Sequence, residues 1–332
     1  MKTENRICLY DNMKFILILL VVVGHFAEPF ILKSNFFKSI FFYIYTFHMP
    51  LFVFISGHFH RNNKIVQKVL SYIAIGFASK MIIALCSVFI NGNSWQFKLL
   101  SDNGLPWYMF VLAIHILLSY ILKDIDKKFI LIIFVLLACF VGYDSTVSDY
   151  LYLSRTIIFY PFYVLGELVS EEQILRFNDS KGFKIVSTIV LVACLVICFM
   201  HIDKLFALCA LFTGRNPFSV NALYTDWGCL YRLLCYTITF VMGSSILCLV
   251  PNHRLPIITS LGQKTLQVYF WHFPIMYLLL RFKVGDLLFP SKIGKLCWLA
   301  CAVLITFILC LKPFGFPVVN IIKATHRPAQ KG

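Results

Sequence analysis

The sequence is poor in charged residues, and in acidic residues above all. Charged side chains make up 14% of the 332 residues, with 15 Asp or Glu against 30 Lys or Arg. Soluble domains carry about 25% charged residues, whereas hydrophobic residues reach 60% here. This composition excludes an ordinary soluble domain and predicts a membrane protein. The net charge of +15 suits a membrane surface and anionic ligands, and no segment is typical of a nucleic-acid-binding module.

Several catalytic signatures are also absent. The sequence has no HExxH, CxxC, Walker A, GxGxxG or GxSxG pattern, so dinucleotide binding and covalent serine-hydrolase chemistry have no support. Most of the 12 cysteines lie inside apolar segments. The pairs Cys194/Cys198 and Cys297/Cys301 have an i,i+4 spacing that suits a shared metal, but packing as small hydrophobic side chains is favoured. We therefore expect no metal.

Apolar segments recur along the whole chain and predict an all-α fold. We expect one polytopic transmembrane helical bundle over residues 1–332, because a helix of about 20 residues crosses a bilayer and shorter ones cross where it is thin. The ten predicted spans are residues 12–32, 37–59, 69–90, 106–122, 129–143, 155–170, 183–201, 228–250, 265–282 and 294–312. Lys and Arg favour the loops that this arrangement places inside, which predicts cytoplasmic N- and C-termini.

The first predicted span carries three ionisable side chains on one face. Charged groups at bilayer depth cost roughly 2.5–3.5 kcal/mol, so their presence indicates a functional site. Lys14 and His25 are eleven residues apart, which is three helical turns plus about 20°, and Asp11 lies about 40° from His25. An acid, a cation and a base therefore share a stripe, with about 16 Å between Lys14 and His25.

Five short motifs follow one another between residues 6 and 275. They are Arg6…Asp11-Asn12-Met13-Lys14…Gly24-His25, Phe47-His48-Met49-Pro50…Gly57-His58, Trp107-Tyr108, Ser154-Arg155-Thr156…Leu165-Gly166, and Leu261-Gly262…Thr265-Leu266…His272. Together they resemble the integral-membrane acyltransferase-3 family, and the fourth resembles its fucose 4-O-acetylase-like branch. Lys14 replaces the arginine that is commoner in the family, and Glu167 stands where the branch often has an aromatic residue.

The resemblance implies ten helices and an O-acetyltransferase in the bacterial cytoplasmic membrane. Such an enzyme moves an acetyl or similar short acyl group from acyl-CoA to a sugar hydroxyl of a cell-envelope or exported polysaccharide. The implied partners are acetyl-CoA as donor substrate, a glycan or lipid-linked sugar as acceptor, membrane lipids and polysaccharide-synthesis proteins. Transfer from a thioester needs a base for the hydroxyl and a cation for the oxyanion, and a histidine with a pKa of about 6.5 suits the first role.

The candidate site residues fall into three roles. The predicted catalytic residues are His25 (general base or acyl carrier), Asp11 and Lys14. Because coenzyme A carries several phosphates that bind Lys or Arg, the predicted donor-binding residues are Lys14, Arg61, Lys64, Lys68 and Lys80. The predicted acceptor-binding residues are His48, Trp107, Tyr108, Arg155, Arg232 and His272. For Trp107, Tyr108, Arg155 and Arg232, anchoring at the membrane interface is the alternative.

Two other function classes use intramembrane ionisable residues. A proton-coupled transporter would use Lys14, His25, His48 and Lys80 as a relay, and a glycan flippase or a structural partner of a polysaccharide synthase is a third interpretation. Transporters often contain internal repeats, but the FHMPLFVFISG segment has no counterpart after residue 170. The sequence therefore favours the enzyme.

The distribution of basic residues leads to a test of orientation. With both termini in the cytoplasm, segments 91–106 and 143–154 lie outside, and segment 124–128 lies inside. A membrane-impermeant thiol reagent added to intact cells should therefore label a cysteine introduced at Ser145 and leave one introduced at Asp124 unlabelled. The opposite labelling pattern would reverse the orientation.

Overall fold

The computed structural model describes residues 7–101 and 104–326, so Arg6 of the first motif lies outside the described residues. Within these ranges the chain is helical and contains no β-strand, which confirms the all-α prediction. The α-helices are α1 (Cys8–Ala27), α2 (Asn35–Tyr45), α3 (His48–His58), α4 (Ile65–Phe89), α5 (Trp107–Ile121), α6 (Lys127–Phe140), α7 (Leu153–Leu168), α8 (Glu171–Asp179), α9 (Lys181–Leu205), α10 (Cys209–Phe212), α11 (Gly228–Leu249), α12 (Ile258–Leu261), α13 (Thr265–Arg281), α14 (Val284–Leu288), α15 (Lys292–Leu309) and α16 (Val318–Thr325).

Each of the ten predicted spans contains a helix. In the described part of the chain, six helical runs are long and apolar enough to cross a bilayer: Cys8–Phe30, Asn35–His58, Ile65–Phe89, Lys181–Phe212, Gly228–Leu249 and Lys292–Leu309. The other four predicted spans contain α5, α6, α7 and α13, whose 14 to 17 residues suit a thin part of the membrane. A multi-pass membrane protein is confirmed, while the number of ten crossings stays a prediction.

The second predicted span is broken between α2 and α3. Proline has no backbone N–H, so Pro50 leaves the carbonyl of Thr46 without its helical donor, and the hydroxyl of Thr239 donates to that carbonyl instead at 2.6 Å. The imidazole Nδ1 of His48 donates to the carbonyl of Ile44 at 2.8 Å. A side chain and a neighbouring helix thus satisfy the polar backbone at the break, as an apolar environment requires.

The described chain separates into two compact units. Unit 1 contains residues 7–60, 125–149 and 153–263, and unit 2 contains the described residues among 61–124, 150–152 and 264–326. In unit 1, α7 packs against both α3 and α6, and α9 packs against both α2 and α11. In unit 2, α4 packs against α5, α13 and α16, and α15 packs against α13 and α14. The single domain over residues 1–332 stays a prediction.

A close helix crossing in unit 1 joins α3 and α7 through two glycines. A Cβ atom placed on Gly57 would lie 2.0 Å from the carbonyl oxygen of Tyr163, and one on Gly166 would lie 2.1 Å from the carbonyl oxygen of Phe54. Small residues allow membrane helices to approach this closely. The FISG and LG motifs are therefore the two sides of one crossing.

This crossing leads to a stability prediction with a matched control. Gly166→Ala should lower the thermal unfolding midpoint of the purified protein, because the added methyl group forces the helices apart at a cost of about 1–3 kcal/mol. Gly182→Ala places its Cβ in α9 with no atom within 4 Å, and alanine favours helices, so its midpoint should be unchanged or higher. Equal midpoints for the two variants would show that the crossing tolerates a larger separation.

Candidate functional site

His25 and Glu28 form a hydrogen-bonded pair at the end of α1. The Nδ1 atom of His25 donates to the carboxylate Oε2 of Glu28 at 3.2 Å. The spacing of three residues places both on the same side of the helix, and Pro29 continues the chain in a 3₁₀ turn over Glu28–Phe30. The His25 side chain is 13% exposed and that of Glu28 is 46% exposed. With its proton on Nδ1, the neutral imidazole carries its basic nitrogen at Nε2.

Tyr45 connects His25 with His48. Its ring contacts that of His25 edge-on, with the centroids 6.4 Å apart, and lies 4.7 Å from that of His48. Tyr45 in turn stacks on Phe41 at 3.9 Å. An ideal Cβ atom on Gly24 would lie only 3.5–3.6 Å from the side chains of Ile44 and Tyr45, so α1 runs close to α2 here. The structure therefore brings together two histidines that lie on separate predicted spans.

Arg215 completes the charged part of this cluster. Its guanidinium lies close enough to Glu28 and Tyr45 to interact with both electrostatically, and the Arg155 guanidinium interacts with Tyr45. The dyad cluster consists of the residues in contact around the His25–Glu28 pair: His25, Glu28, Tyr45, His48, Arg155 and Arg215. It combines an imidazole held by a carboxylate with two guanidinium cations, and these groups suit acyl transfer to a hydroxyl.

The Ser154-Arg155 motif holds the segment that presents Arg215. The hydroxyl of Ser154 donates to the carbonyl of Gly214 at 2.8 Å, and the Nε of Arg155 donates to the carbonyl of Thr213 at 3.3 Å. Gly214 has a φ of +69°, and its α-carbon faces the ring of Phe159, so a side chain there would be both strained and crowded. Arg155 also pairs with Asp149 at 3.4 Å.

Arg232 supports the same segment from α11. Its side chain is 1% exposed, its Nη1 donates to the carbonyl of Leu211 at 2.7 Å, and it lies 5.8 Å from the ring of Phe218. The sequence predicts that Arg155 and Arg232 bind the acceptor, and in the structure both use part of their guanidinium to bind backbone carbonyls. Acceptor binding by these arginines stays a prediction.

The other end of α1 is fixed by Asn12 of the first motif and Gly262 of the last. The buried amide of Asn12 donates to the carbonyls of Pro251 and His253 at 2.8 and 3.0 Å, and its oxygen accepts from the Thr259 hydroxyl at 2.6 Å. A Cβ atom on Gly262 would lie 2.0 Å from the carbonyl oxygen of Asp11. The first and last motifs of the chain are therefore in direct contact.

Lys14 lies one turn further along α1. Its amine lies over the ring of Phe59 at 4.7 Å, and Phe59 packs edge-on against Tyr10 at 4.8 Å. The Tyr10 hydroxyl and the Nε2 of His58 are 2.8 Å apart. Because α1 is helical throughout Cys8–Ala27, Lys14 and His25 are about 16 Å apart along its axis. Asp11 is 3% exposed and belongs to this end of the helix.

The remaining predicted site residues belong to unit 2. The amine of Lys80 donates to the carbonyls of Lys98, Leu99 and Ser101 at 2.7, 2.8 and 3.3 Å, and lies 5.2 Å from the ring of Phe110. Three acceptors match the three donors of an ammonium group. These three hydrogen bonds explain how a charged lysine is accommodated inside a predicted span. Donor binding by Lys80 stays a prediction.

The other residues of this set also have local contacts. Lys68 donates to the carbonyl of Arg61 at 2.9 Å, and Lys64 has a left-handed backbone before α4. Trp107 and Tyr108 begin α5, and their rings pack edge-on at 5.8 Å. His272 is fully buried, and its Nδ1 donates to the carbonyl of Val268 at 2.9 Å. Their roles in donor and acceptor binding stay predictions.

Two site residues could have been found from the sequence and one could not. Glu28 lies three residues after His25, which is the spacing of a helical hydrogen-bonded pair, and Tyr45 precedes the His48 motif closely. Arg215 follows a short apolar segment with no distinguishing pattern, and only the contacts of residues 211–214 place it near Glu28.

Glu167, whose role the sequence left open, pairs with Lys127 at 2.8 Å.

Comparisons with known proteins identify a family and relatives that this chain resembles. The model of the acyltransferase domain family known as acyltransferase-3 matches residues 10–312. The nodulation protein NolL of Mesorhizobium japonicum is 29% identical over 191 residues, which are 51% of this chain and 49% of that protein. The NolL protein of Sinorhizobium fredii is 48% identical over 58 residues, which are 17% of this chain and 16% of that protein.

These matches have a limited extent. The chain spans about half the length of the first of these relatives and less of the second, and no solved structure matches. The family match nevertheless covers nearly the whole chain, including α1 with His25 and Lys14. This chain therefore belongs to the acyltransferase-3 family.

Proposed function

We propose that this protein transfers an acetyl or similar short acyl group from acyl-CoA to a sugar hydroxyl of a cell-envelope or exported polysaccharide. The observation that carries the proposal is the 3.2 Å hydrogen bond between His25 and Glu28, on a helix whose other end carries Lys14. Family membership supports acyl transfer. The proposed location is the bacterial cytoplasmic membrane, with the dyad cluster toward the outer side and Lys14 toward the cytoplasm.

The proposed reaction uses His25 as the general base. Glu28 holds the proton on Nδ1, so Nε2 takes the proton of the sugar hydroxyl while the hydroxyl oxygen attacks the thioester carbonyl. The carbon–sulfur bond then breaks, and the imidazolium returns the proton to the departing thiolate. A carboxylate on the far nitrogen favours the imidazolium that forms during this step, as in other histidine–carboxylate pairs.

The arginines of the dyad cluster supply the positive charge for the oxyanion. Arg215 and Arg155 both lie close enough to act on Tyr45, whose ring contacts that of His25. Fixed cations in a site of low dielectric stabilise developing negative charge without reorganising. Ser154 and Arg155 hold the backbone of residues 213 and 214, so the guanidinium of the next residue, Arg215, has a defined position.

The proposed donor extends along α1. Lys14 binds a phosphate of acyl-CoA, and the acyl end of the extended pantetheine arm reaches toward His25 over the about 16 Å of helix between them. This arrangement allows a cytoplasmic donor to serve an acceptor on the other side of the membrane. The acceptor is a sugar hydroxyl of a glycan or lipid-linked sugar.

The catalytic assignment predicts graded losses of activity. In detergent-purified protein with labelled acetyl-CoA, His25→Ala should lower transfer by about 10²–10⁴-fold, as expected for a lost general base. Glu28→Gln keeps an acceptor oxygen for Nδ1 but removes the charge, so transfer should fall by about tenfold. The exposed His253 provides the control, because His253→Ala should retain full activity. If inserted, folded His25→Ala protein transfers acyl groups at the wild-type rate, the base lies elsewhere.

The donor assignment predicts a change in binding rather than in chemistry. A charge-assisted phosphate contact contributes about 1.5–3 kcal/mol, so Lys14→Ala should weaken acyl-CoA binding about tenfold or more in calorimetric titrations, and less so at high salt. Lys33 also lies over a phenylalanine ring, at 5.9 Å from Phe30, but at the opposite end of the first span.

Lys33→Ala is therefore the matched control for Lys14→Ala and should leave donor affinity unchanged. Equal affinities of Lys14→Ala and wild-type protein, at low and at high salt, would remove Lys14 from the donor site. In that case its charge would act on the neighbouring groups of α1 instead.

A further inference from the structure

An apolar cavity lies between α3, α7, α8 and α11 in unit 1. Its volume is about 320 Å³, which is the size of a site for a small ligand. Apart from Gln173, Thr239 and Ser244, its lining side chains are apolar, and Phe240 at its rim is 57% exposed. The cavity therefore opens between the helices to the surface that faces the bilayer. None of its lining residues belongs to the dyad cluster.

The three polar side chains of the lining are engaged within the protein. The hydroxyl of Thr239 donates to the carbonyl of Thr46 at 2.6 Å, and that of Ser244 donates to a carbonyl of its own helix at 3.1 Å. The side-chain oxygen of Gln173 accepts from the backbone N–H of Ser170 at 2.9 Å. Because apolar cavities exclude water and bind apolar molecules, this lining suits a hydrocarbon chain.

Gly243 contributes to the open space of the cavity. A Cβ atom on Gly243 would meet the Cδ1 of Leu51 at 3.9 Å, which is an ordinary van der Waals contact. At Gly57 and Gly166, by contrast, a Cβ atom would collide with the backbone of the opposite helix. Helix packing thus requires glycine at the α3–α7 crossing, whereas a larger side chain at position 243 would extend into the cavity.

The cavity is as long as the hydrocarbon of one bilayer leaflet. One end lies at Thr239 and the α2–α3 break, in the middle of the run Asn35–His58, and the other lies at α8, directly before the run Lys181–Phe212. Along α11 its lining extends from Thr239 to Leu247, which is about 12 Å at 1.5 Å per residue. Half of a hydrocarbon core of about 30 Å is similar in length.

The α8 helix supplies charges of both signs at the surface end. Ile174 lines the cavity, whereas Glu171 and Glu172 are exposed, as in amphipathic helices that lie in the membrane interface. Residues 171–184 include three acidic and three basic side chains, and Arg176 pairs with Glu172 at 2.8 Å. Recognition of anionic lipids uses clusters of Lys and Arg instead, so this balanced surface suits a zwitterionic headgroup.

We propose that the cavity binds one acyl chain of a zwitterionic phospholipid, such as phosphatidylethanolamine. The headgroup lies at α8, and the chain extends between α3, α7 and α11 to the α2–α3 break. The leaflet length of the cavity favours such a chain over the longer isoprenoid chain of a lipid-linked sugar. This proposal does not rest on the proposed acyl transfer, or on which end of the cavity faces the cytoplasm.

Photolabelling of the wild-type protein tests the proposal directly. The purified protein is placed in phosphatidylglycerol vesicles with a trace of phosphatidylethanolamine that carries a diazirine on one acyl chain, and labelled residues are located by peptide mass spectrometry after irradiation. Leu51 and Leu247 line the cavity but are only 6% and 7% exposed, so bulk lipid does not reach them. Both should be labelled. Label confined to outward-facing residues such as Leu234 and Val241 would overturn the proposal.

Competition identifies the kind of lipid. In phosphatidylcholine vesicles, unlabelled zwitterionic lipid competes for the cavity, so the label at Leu51, relative to that at Val241, should be at least about fivefold lower than in phosphatidylglycerol, a preference of about 1 kcal/mol. Equal labelling in both vesicles would overturn the zwitterionic assignment. Loss of the Leu51 label on adding an equal trace of polyprenyl phosphate would identify a lipid-linked acceptor as the occupant and overturn the phospholipid.

A variant that fills the cavity provides a second measurement. Gly243→Leu should lower the label at Leu247, relative to that at Val241, by at least about fivefold, a loss of about 1 kcal/mol. Ala193 is exposed on α9 and does not line the cavity, so Ala193→Leu is the matched control and should be labelled like the wild type. Unchanged labelling of Leu247 in folded Gly243→Leu protein would overturn the proposal, and wild-type labelling decides if this variant does not fold.

Discussion

The close crossing of α3 and α7 is the contact on which the dyad cluster depends. At Gly57 and Gly166 each helix presses against the backbone of the other, which leaves room for no side chain on either. The α3 helix begins at His48, whose ring contacts that of Tyr45. The first turn of α7 carries Ser154 and Arg155, which hold the segment before Arg215. The distance between the two sides of the cluster is therefore set by an apolar crossing farther along both helices.

Buried polar side chains in this protein mostly bind backbone carbonyls. Lys80 donates to three of them, Asn178 donates to those of Leu247, Cys248 and Val250 at the end of α11, and Asn12 and Arg232 follow the same principle. Helix ends and loops leave carbonyls without helical donors, and an apolar environment makes each one costly. A cation inside the membrane therefore serves either to bind a ligand or to satisfy backbone carbonyls that lack helical donors. Composition alone does not separate these two roles.

His25 differs from these residues because its partner is a carboxylate. Glu28 binds Nδ1 of an imidazole that lies at a helix end and is partly exposed. His48 and His272 each direct Nδ1 to a carbonyl four residues earlier instead. The choice of partner thus distinguishes the proposed base from the histidines that satisfy their own helices.

The sequence by itself determined the all-α membrane fold, a helix at each of the ten predicted spans, and the single face shared by Asp11, Lys14 and His25. These features follow from hydropathy and from the 100° rotation per residue of a helix, which are local properties. It did not determine the break before His48, the contact of Asp11 with Gly262, or the approach of Arg215 to Glu28. Those features depend on packing between segments up to about 250 residues apart. Glycines that allow close backbone approach, and carbonyls without donors at helix ends, select their partners only after the helices have packed.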